Sequence, residues 1–153
     1  MFISTKGRYA LMVMIDLAEH ENGRYIPLKD IAARQGISEK YLEAILKILV
    51  KNRLLVGLRG KGGGYMLTLT PDHYPIGQIL RLTEDGLAPV SCLDGGDASS
   101  CPKAGECRTL PVWIRLDRLI NDYLDSVTIA DLMRTEEAGT ALPTPDPVKR
   151  GCP

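Results

Sequence analysis

The sequence lacks any apolar stretch long enough to cross a membrane, which takes about 20 consecutive apolar residues. The apolar run at residues 9–18 is interrupted by Asp16 and is followed by charged residues. A signal peptide would instead have small residues there, at its cleavage site. We therefore expect a cytoplasmic protein with no membrane segment.

Paired metal ligands are also absent. The chain has four cysteines and two histidines, but no C-x2-C pair, and His20 and His73 lie far apart in the sequence. These absences exclude a zinc ribbon and a zinc finger. We expect both histidines to be solvated. In a cytoplasmic protein the cysteines are more often ligands or redox thiols than structural disulfides.

The glycine-rich segment RGKGGG at residues 59–64 matches neither of two common nucleotide-binding motifs. In a P-loop, the first glycine would fall at Leu55 and the serine or threonine at Gly62. In a dinucleotide-binding loop, the third glycine would fall at Tyr65. No nucleophile–base pair appears either, so we do not expect an enzyme.

Charge is balanced over the whole chain but not along it. Of the 19 basic and 19 acidic residues, 11 basic and 7 acidic ones lie in residues 1–80, which gives that half +4 and the remainder −4. A basic N-terminal half fits attraction to nucleic-acid phosphates, although a chain of this size can reach such an asymmetry by chance.

Residues 27–51 predict a helix-turn-helix. Leu28, Ile31 and Ala32 form one apolar helical face, and Gly36 can end that helix in a left-handed conformation. Ser38 is a good N-cap for a second helix. The second helix is predicted to bury four apolar residues and to leave its polar start exposed. The buried set is Leu42, Ile45, Leu46 and Leu49.

A β-hairpin is predicted directly after the second helix. Residues 54–58 are β-prone, residues 59–64 form the turn, and Tyr65, Leu67 and Leu69 alternate with more polar positions. The tip carries Arg59 and Lys61 on a nearly bare backbone. A basic hairpin beside a helix-turn-helix is typical of a wing that follows a DNA minor groove.

The remaining segments complete the predicted fold class, which is mainly α with a small β-wing. We expect a packing helix over residues 4–21 ended by Gly23, a helix over 75–86 ended by Gly86, and a long dimerisation helix from 112 to 126. Thr128 and Asp131 resemble a capping box that opens a short last helix. The predicted divisions are a winged helix-turn-helix domain at 1–80, a cysteine loop with dimerisation helices at 81–134, and a disordered tail at 135–153.

Three cysteines lie in a segment without hydrophobic periodicity. Cys92, Cys101 and Cys107 have the spacing C-x8-C-x5-C. Soft thiolates grouped in this way suit zinc or an iron–sulfur cluster. The spacing alone leaves open redox thiols and a segment with no special role.

The chain resembles the IscR/NsrR family of winged-helix regulators, many of which sense through an iron–sulfur cluster. The resemblance covers about residues 1–133. It is carried by the three cysteines and by STKGRYAL at 4–11, DIAARQGIS-x-x-YLE at 30–43, LVKNRLL at 49–55, RGKGGGY at 59–65, IG-x-I at 76–79 and W-x-x-L…YL-x-x-VTIADL at 113–132.

This resemblance implies a homodimer paired through the long helix and a double-stranded DNA operator as partner. It implies cluster ligation, either 2Fe-2S or 4Fe-4S, by the three loop cysteines. It also implies DNA contacts in two grooves. The expected DNA-binding residues are Ser38, Lys40, Tyr41 and Glu43 for the major groove and Arg59 for the minor groove, with Lys61 beside it at the wing tip.

The fourth ligand is where the chain departs from the family. Leu110 stands where two-iron relatives often have histidine, and Arg8 stands where relatives that sense nitric oxide have aspartate. A carboxylate or an exogenous thiol or water is the favoured replacement. The candidates within the chain are Cys152, Glu106, Asp94 and Asp97.

The function predicted from these features is a DNA-binding transcriptional regulator gated by an iron–sulfur cluster. One alternative is a cluster-free regulator controlled by thiol oxidation, a metabolite or a partner enzyme. A remote alternative is a small iron–sulfur electron-transfer protein, which explains the cysteines but not the basic wing.

Overall fold

The computed structural model describes residues 2–94, 101–138 and 142. It is mainly helical and contains one two-stranded sheet, as predicted. The helices are α1 (Thr5–Glu19), α2 (Leu28–Gln35), α3 (Glu39–Lys51), α4 (Ile76–Thr83), α5 (Leu110–Ser126) and α6 (Ile129–Ala138), and the strands are β1 (Leu55–Leu58) and β2 (Gly64–Leu67). Short 3-10 turns occupy Pro71–His73, Ser91–Leu93 and Ala104–Glu106.

The predicted helix starts and stops of the first half are largely confirmed. Ser4 caps α1 and Ser38 caps α3, each accepting a hydrogen bond from a backbone N–H in the first turn. Gly36 ends α2 with φ of 64°, the left-handed conformation that glycine adopts without strain. Two stops were placed too late, because α1 ends before Gly23 and α4 ends before Gly86.

The core lies between α1, α3 and α4. The four α3 residues predicted to face inward are all buried, as are Val13 and Met14 of α1 and Ile79 of α4. Thus α4 packs within the winged domain before the chain continues toward the cysteines. This packing presents the opposite side of α3 to solvent.

The hairpin forms with a shorter second strand than predicted. β1 and β2 are antiparallel, with Leu55 opposite Leu67 and Leu58 opposite Gly64, so Leu69 lies beyond the strand. Ile26, just before α2, exchanges two backbone hydrogen bonds of 2.9 Å with Tyr65. The wing is thereby attached to the start of the helix-turn-helix.

The chain returns to the core after α5. Ile129 and Val127 are fully buried, and the backbone N–H of Ile76 donates to the carbonyl of Val127 at 2.8 Å. The predicted capping box is present, because Asp131 accepts from the backbone N–H of Thr128 at 2.9 Å and donates its own N–H to the Thr128 hydroxyl at 3.2 Å.

The helix α6 extends four residues into the segment that was predicted to be a disordered tail, because it continues through residues 135–138. The rest of the predicted tail, apart from residue 142, lies outside the described residues. Within the described part of the chain, no helix combines the length and the apolar character that a membrane span requires.

Candidate nucleic-acid interface and cysteine segment

The four predicted major-groove residues lie at the exposed start of α3. Ser38, Lys40, Tyr41 and Glu43 are all exposed to solvent. The Ser38 hydroxyl is occupied as a cap, since it accepts from the backbone N–H of Tyr41 at 3.3 Å. Glu43 pairs with Lys47 one turn later, with 3.0 Å between carboxylate and ammonium. Lys40 and Tyr41 therefore offer their polar groups most directly to a ligand.

Tyr41 is held by an aromatic contact that the sequence did not indicate. Its ring meets that of Tyr9 edge to face, with 5.8 Å between the centroids and 90° between the planes. Such pairs are favourable because the ring edge is positive and the face negative. Tyr9 lies in the packing helix predicted over residues 4–21, and no sequence pattern links it to Tyr41. The contact makes α1 a support for the start of α3.

The wing tip depends on its glycines. Gly60 and Gly62 have φ of 89° and 75°, and the N–H of Gly63 donates to the carbonyl of Gly60 at 3.0 Å. A side chain at Gly63 would collide with the Leu58 carbonyl, and one at Gly64 with the Ile26 carbonyl. A glycine-rich turn is therefore needed for the hairpin to adopt this conformation. It leaves Arg59 and Lys61 exposed at the tip.

A buried tyrosine fixes the base of the wing. The hydroxyl of Tyr74, which is 1% exposed, donates to the carbonyl of Leu54 at 3.0 Å. It also accepts the backbone N–H groups of Thr68 at 3.0 Å and Leu69 at 2.7 Å. These bonds join the residue before β1 to the two residues after β2, so the base of the hairpin is held together from inside the protein.

A buried ion pair fixes α2 against α1. Asp16 is 1% exposed and accepts two hydrogen bonds from the Arg34 guanidinium, at 2.6 and 2.9 Å, and one from Gln35 at 2.9 Å. Burial by itself would raise the pKa of Asp16. The hydrogen bonds from Arg34 and Gln35, with the charge of Arg34, outweigh burial and hold that pKa below its ordinary value.

A cleft of about 640 Å³ separates α3 from the wing. Its charged lining consists of Lys29, Lys47, Lys51, Arg59, Glu39 and Glu43. Val50 and Tyr65, both half-buried, form part of its apolar surface. Sequence reasoning did not find this cleft, because it depends on the distance between the hairpin and a helix. It brings predicted major-groove and minor-groove residues, Glu43 and Arg59, to the two sides of one opening.

The three cysteines are accessible thiols. Cys92 lies in the turn Ser91–Leu93 and Cys107 directly follows the turn Ala104–Glu106. Together with Cys101 they are half-buried, and none forms a disulfide. Among the residues that the structure describes, no group of three or more His, Cys, Asp or Glu is close enough to hold a metal ion. The thiols have the donor chemistry that iron prefers, but the described geometry does not assemble an iron–sulfur site.

Among the described residues, the candidate fourth ligands form no metal-binding group with the cysteines either. Asp94 and Glu106 are exposed, and Leu110 begins α5. Asp97 and Cys152 lie outside the described residues. The identity of the fourth ligand therefore stays a prediction from the sequence.

Cys107 has polar neighbours at the start of α5. Its sulfur lies 3.4 Å from the hydroxyl of Thr109, and that hydroxyl oxygen accepts the indole N–H of Trp113 at 3.2 Å. Hydrogen bonding from the Thr109 side chain, and then from the backbone N–H groups of Thr109 and Leu110, lowers the pKa of the Cys107 thiol. This arrangement favours the thiolate, the form that reacts and binds metals.

The long helix α5 presents apolar side chains that the described part of the chain leaves exposed. None of its 17 residues is buried, and Val112 and Leu116 are 58% and 38% exposed. Arg81 of α4 holds its C-terminal end through two hydrogen bonds to Asp125, at 2.8 and 2.7 Å. A side chain at Gly77 would occupy the place of the Asp125 carboxylate. α5 is thus attached at its C-terminal end, where Tyr123 and Leu124 also pack against the core, while Val112 and Leu116 nearer its start are exposed.

A capped helix-turn-helix, a basic glycine wing fixed at its base and a long exposed helix define a winged-helix transcriptional regulator. The comparisons with known proteins identify the family. The family model Rrf2, described as an iron-dependent transcriptional regulator, matches residues 3–135. The chain belongs to the Rrf2 family.

Individual relatives agree with this assignment. The IscR transcriptional regulator of Erwinia tasmaniensis is 35% identical over 137 residues, which cover 90% of this chain and 81% of that protein. The solved structure of the B. subtilis global cysteine regulator CymR matches with a TM-score of 0.71 and 35% identity, over 88% of this chain and 97% of that one. T. potens IscR matches with a TM-score of 0.70 and 35% identity, over 92% and 93% of the two chains.

These relatives confirm the resemblance inferred from the sequence. They also confirm that the chain is a transcriptional regulator and not an enzyme. The individual DNA-contacting residues and cluster ligands stay predictions.

Proposed function

We propose that this protein is a homodimeric, cytoplasmic transcriptional regulator that binds a double-stranded DNA operator with the start of α3 and with the wing. The observation that carries the proposal is the placement of Glu43 and Arg59 on the two sides of one open cleft. A recognition helix and a wing that flank such a cleft can enter adjacent grooves of the same duplex.

Each predicted residue then has a distinct role. Lys40 and Tyr41 approach base edges and phosphates at the edge of the major groove, and the Glu43 carboxylate can accept a hydrogen bond from a cytosine amino group. Arg59 enters the minor groove, where narrow A·T-rich stretches attract a guanidinium. Lys61, two residues further along the tip, adds an attraction to the phosphates.

The homodimer forms through α5. The exposed Val112 and Leu116 lie at i and i+4 on one helical face, and two copies of that face can cover each other about a two-fold axis. Such a dimer presents two recognition helices, so the operator has two half-sites whose spacing follows the dimer axis.

The cysteine segment between α4 and α5 is the effector site. An iron–sulfur cluster is the first candidate effector, with Cys92, Cys101 and Cys107 as the residues that would hold it. When bound, such a cluster supplies one-electron chemistry and reactivity toward oxygen or nitric oxide. Cys107 leads directly into α5, so a change at its sulfur acts next to the dimer helix.

A cluster-free regulator is the second candidate. It is favoured by Leu110 at the position where two-iron relatives often have histidine, and by the likeness to a cysteine regulator. Its effector would be thiol oxidation, a metabolite or a partner enzyme. The electron-transfer alternative is set aside, because the relatives are transcriptional regulators.

The cluster-bound and the cluster-free regulator differ in the colour of the purified protein. The protein is purified without oxygen, its visible spectrum is recorded, and iron and sulfide are measured on the same sample. Brown protein with matched iron and sulfide supports the cluster, and the shape of its absorption bands indicates a two-iron or a four-iron type. Colourless protein that stays metal-free after reconstitution with iron and sulfide contradicts the cluster and leaves the thiol or partner mechanism.

A further inference from the structure

The cleft between α3 and the wing has a charge pattern that base contacts by the start of α3 and by the wing tip do not account for. Four cations and two anions line it, which leaves a net charge of +2. Along the α3 side the charges are ordered: Glu39 and Glu43 come first, and Lys47 and Lys51 follow on the same face at intervals of four residues. Lys29, at the start of α2, adds a cation from a second element.

The geometry of a DNA duplex defines what can occupy this cleft. Adjacent major and minor grooves of B-DNA are separated by one sugar–phosphate strand. If α3 enters a major groove and Arg59 the neighbouring minor groove, that strand must pass between helix and wing. This step rests on the proposed function. It follows from the grooves being neighbours and needs no knowledge of the operator sequence.

The lining suits such a strand. Phosphates carry one negative charge each, and the three lysines that line the cleft are exposed to solvent. Half-buried Val50 and Tyr65 offer an apolar surface to the deoxyribose rings. The two glutamates lie nearer the start of α3, on the side of the base edges, where a carboxylate is tolerated better than beside a phosphate.

We propose that this cleft binds the sugar–phosphate backbone between the two grooves, with Lys29 and Lys51 as phosphate-binding residues that act independently of base sequence. Lys47 has a further part. Its ammonium is 3.0 Å from the Glu43 carboxylate in the free protein. Exchange of that partner for a phosphate leaves Glu43 free to accept a hydrogen bond from a base.

The test uses a labelled 30-base-pair duplex, selected from a randomised pool with the wild-type protein, and a scrambled duplex of the same composition. Affinities are measured by fluorescence anisotropy over a range of salt concentrations. Lys29→Gln and Lys51→Gln each remove one cation, and Lys29→Arg and Lys51→Arg retain it. Arg134→Gln removes the same charge from an exposed position on α6, outside the cleft, and is the control.

For each cleft glutamine variant we expect the slope of log affinity against log salt to decrease by about 0.9 per subunit bound. Affinity should fall by a similar factor on the selected and the scrambled duplex, because a phosphate contact carries no sequence information. The arginine variants and Arg134→Gln should keep the wild-type slope. Circular dichroism melting curves identify any variant that has lost its fold.

Three results would overturn the proposal. Folded glutamine variants with an unchanged slope would mean that no phosphate lies near these lysines. An equal loss in Arg134→Gln would show that the effect comes from net charge alone. A loss on the selected duplex alone would assign the lysines to base recognition. Wild-type protein that binds no duplex would contradict the proposed function itself, and this inference with it.

Discussion

Asp16 is the only fully buried charged side chain among the described residues. It accepts hydrogen bonds from Arg34 and Gln35, the last two residues before the cap of α2. Because α2 and α3 are joined by a short turn at Gly36, a bond that fixes the end of α2 also fixes the start of α3. A single carboxylate in α1 thereby contributes to the placement of the recognition helix.

We predict that Asp16→Asn lowers the free energy of unfolding by about 1–3 kcal/mol, since a charged hydrogen-bond acceptor for Arg34 is lost inside the protein. The effect depends on pH. The pKa of Asp16 is lowered on folding, so its contribution is present above the unfolded-state pKa of about 3.9 and is lost as pH falls through the lower folded-state value. Urea unfolding at a series of pH values measures both effects.

The difference in stability between wild type and Asp16→Asn should therefore be largest near neutral pH and should shrink below about pH 4. Asp85→Asn makes the same change at an exposed position and should alter stability by less than about 0.5 kcal/mol. An Asp16→Asn protein as stable as wild type at neutral pH would show that the ion pair does not hold α2 in place.

At the scale of elements, local chemistry allowed much of the fold to be predicted. Ser38 and Gly36 place the helix boundaries through backbone hydrogen bonds and φ angles that sequence alone indicates. The cleft and the Tyr9–Tyr41 contact could not be predicted in this way, because each joins segments far apart in the chain. The end of β2 was misplaced for a related reason, since the tertiary bonds of Tyr74 take the backbone groups near Leu69 out of the ladder.

The apolar pattern of α5 predicts a buried helix face, but the described part of a single chain does not bury it. An apolar stripe with no buried residue needs a covering surface. Burial of one leucine contributes about 1.5–3 kcal/mol, and a two-fold dimer buries two copies. We predict that Leu116→Asp raises the dimer dissociation constant by at least about 100-fold. Sedimentation equilibrium over a range of protein concentrations measures it.

Arg118→Asp introduces the same residue two positions away on an exposed, polar side of α5 and should leave the dimer intact. A Leu116→Asp protein that sediments like wild type would contradict pairing through this face. A monomeric wild-type protein would contradict it as well.

At the scale of the whole molecule, the helices on both sides of the cysteine segment are attached to the winged domain. α4 packs in the core, Arg81 ties it to Asp125 of α5, and α6 returns to the same core through Ile129. The cysteine segment lies between α4 and α5 in the chain. Under the proposed function, a change in the cysteines would alter the angle between the two recognition helices of the dimer without unfolding either domain, provided that the segment has two discrete states.

We predict that replacing Cys92, Cys101 and Cys107 together by serine abolishes the response of DNA binding to effector while the fold remains. Serine is close in size to cysteine, and the three positions are only half-buried, so the melting temperature should change little. DNA affinity is compared before and after anaerobic reconstitution with iron and sulfide, and before and after oxidation. A triple variant that still responds like wild type would remove the sensor role from this segment.

The central claim is that α3 and the wing together bind DNA, and Arg59→Ala tests it most directly. We predict a loss of about 1–3 kcal/mol, roughly 5- to 150-fold in affinity, on a duplex selected from a random pool. Arg134→Ala, on α6, should bind like wild type and controls for the loss of one positive charge. A folded Arg59→Ala protein with wild-type affinity would contradict the account of the wing.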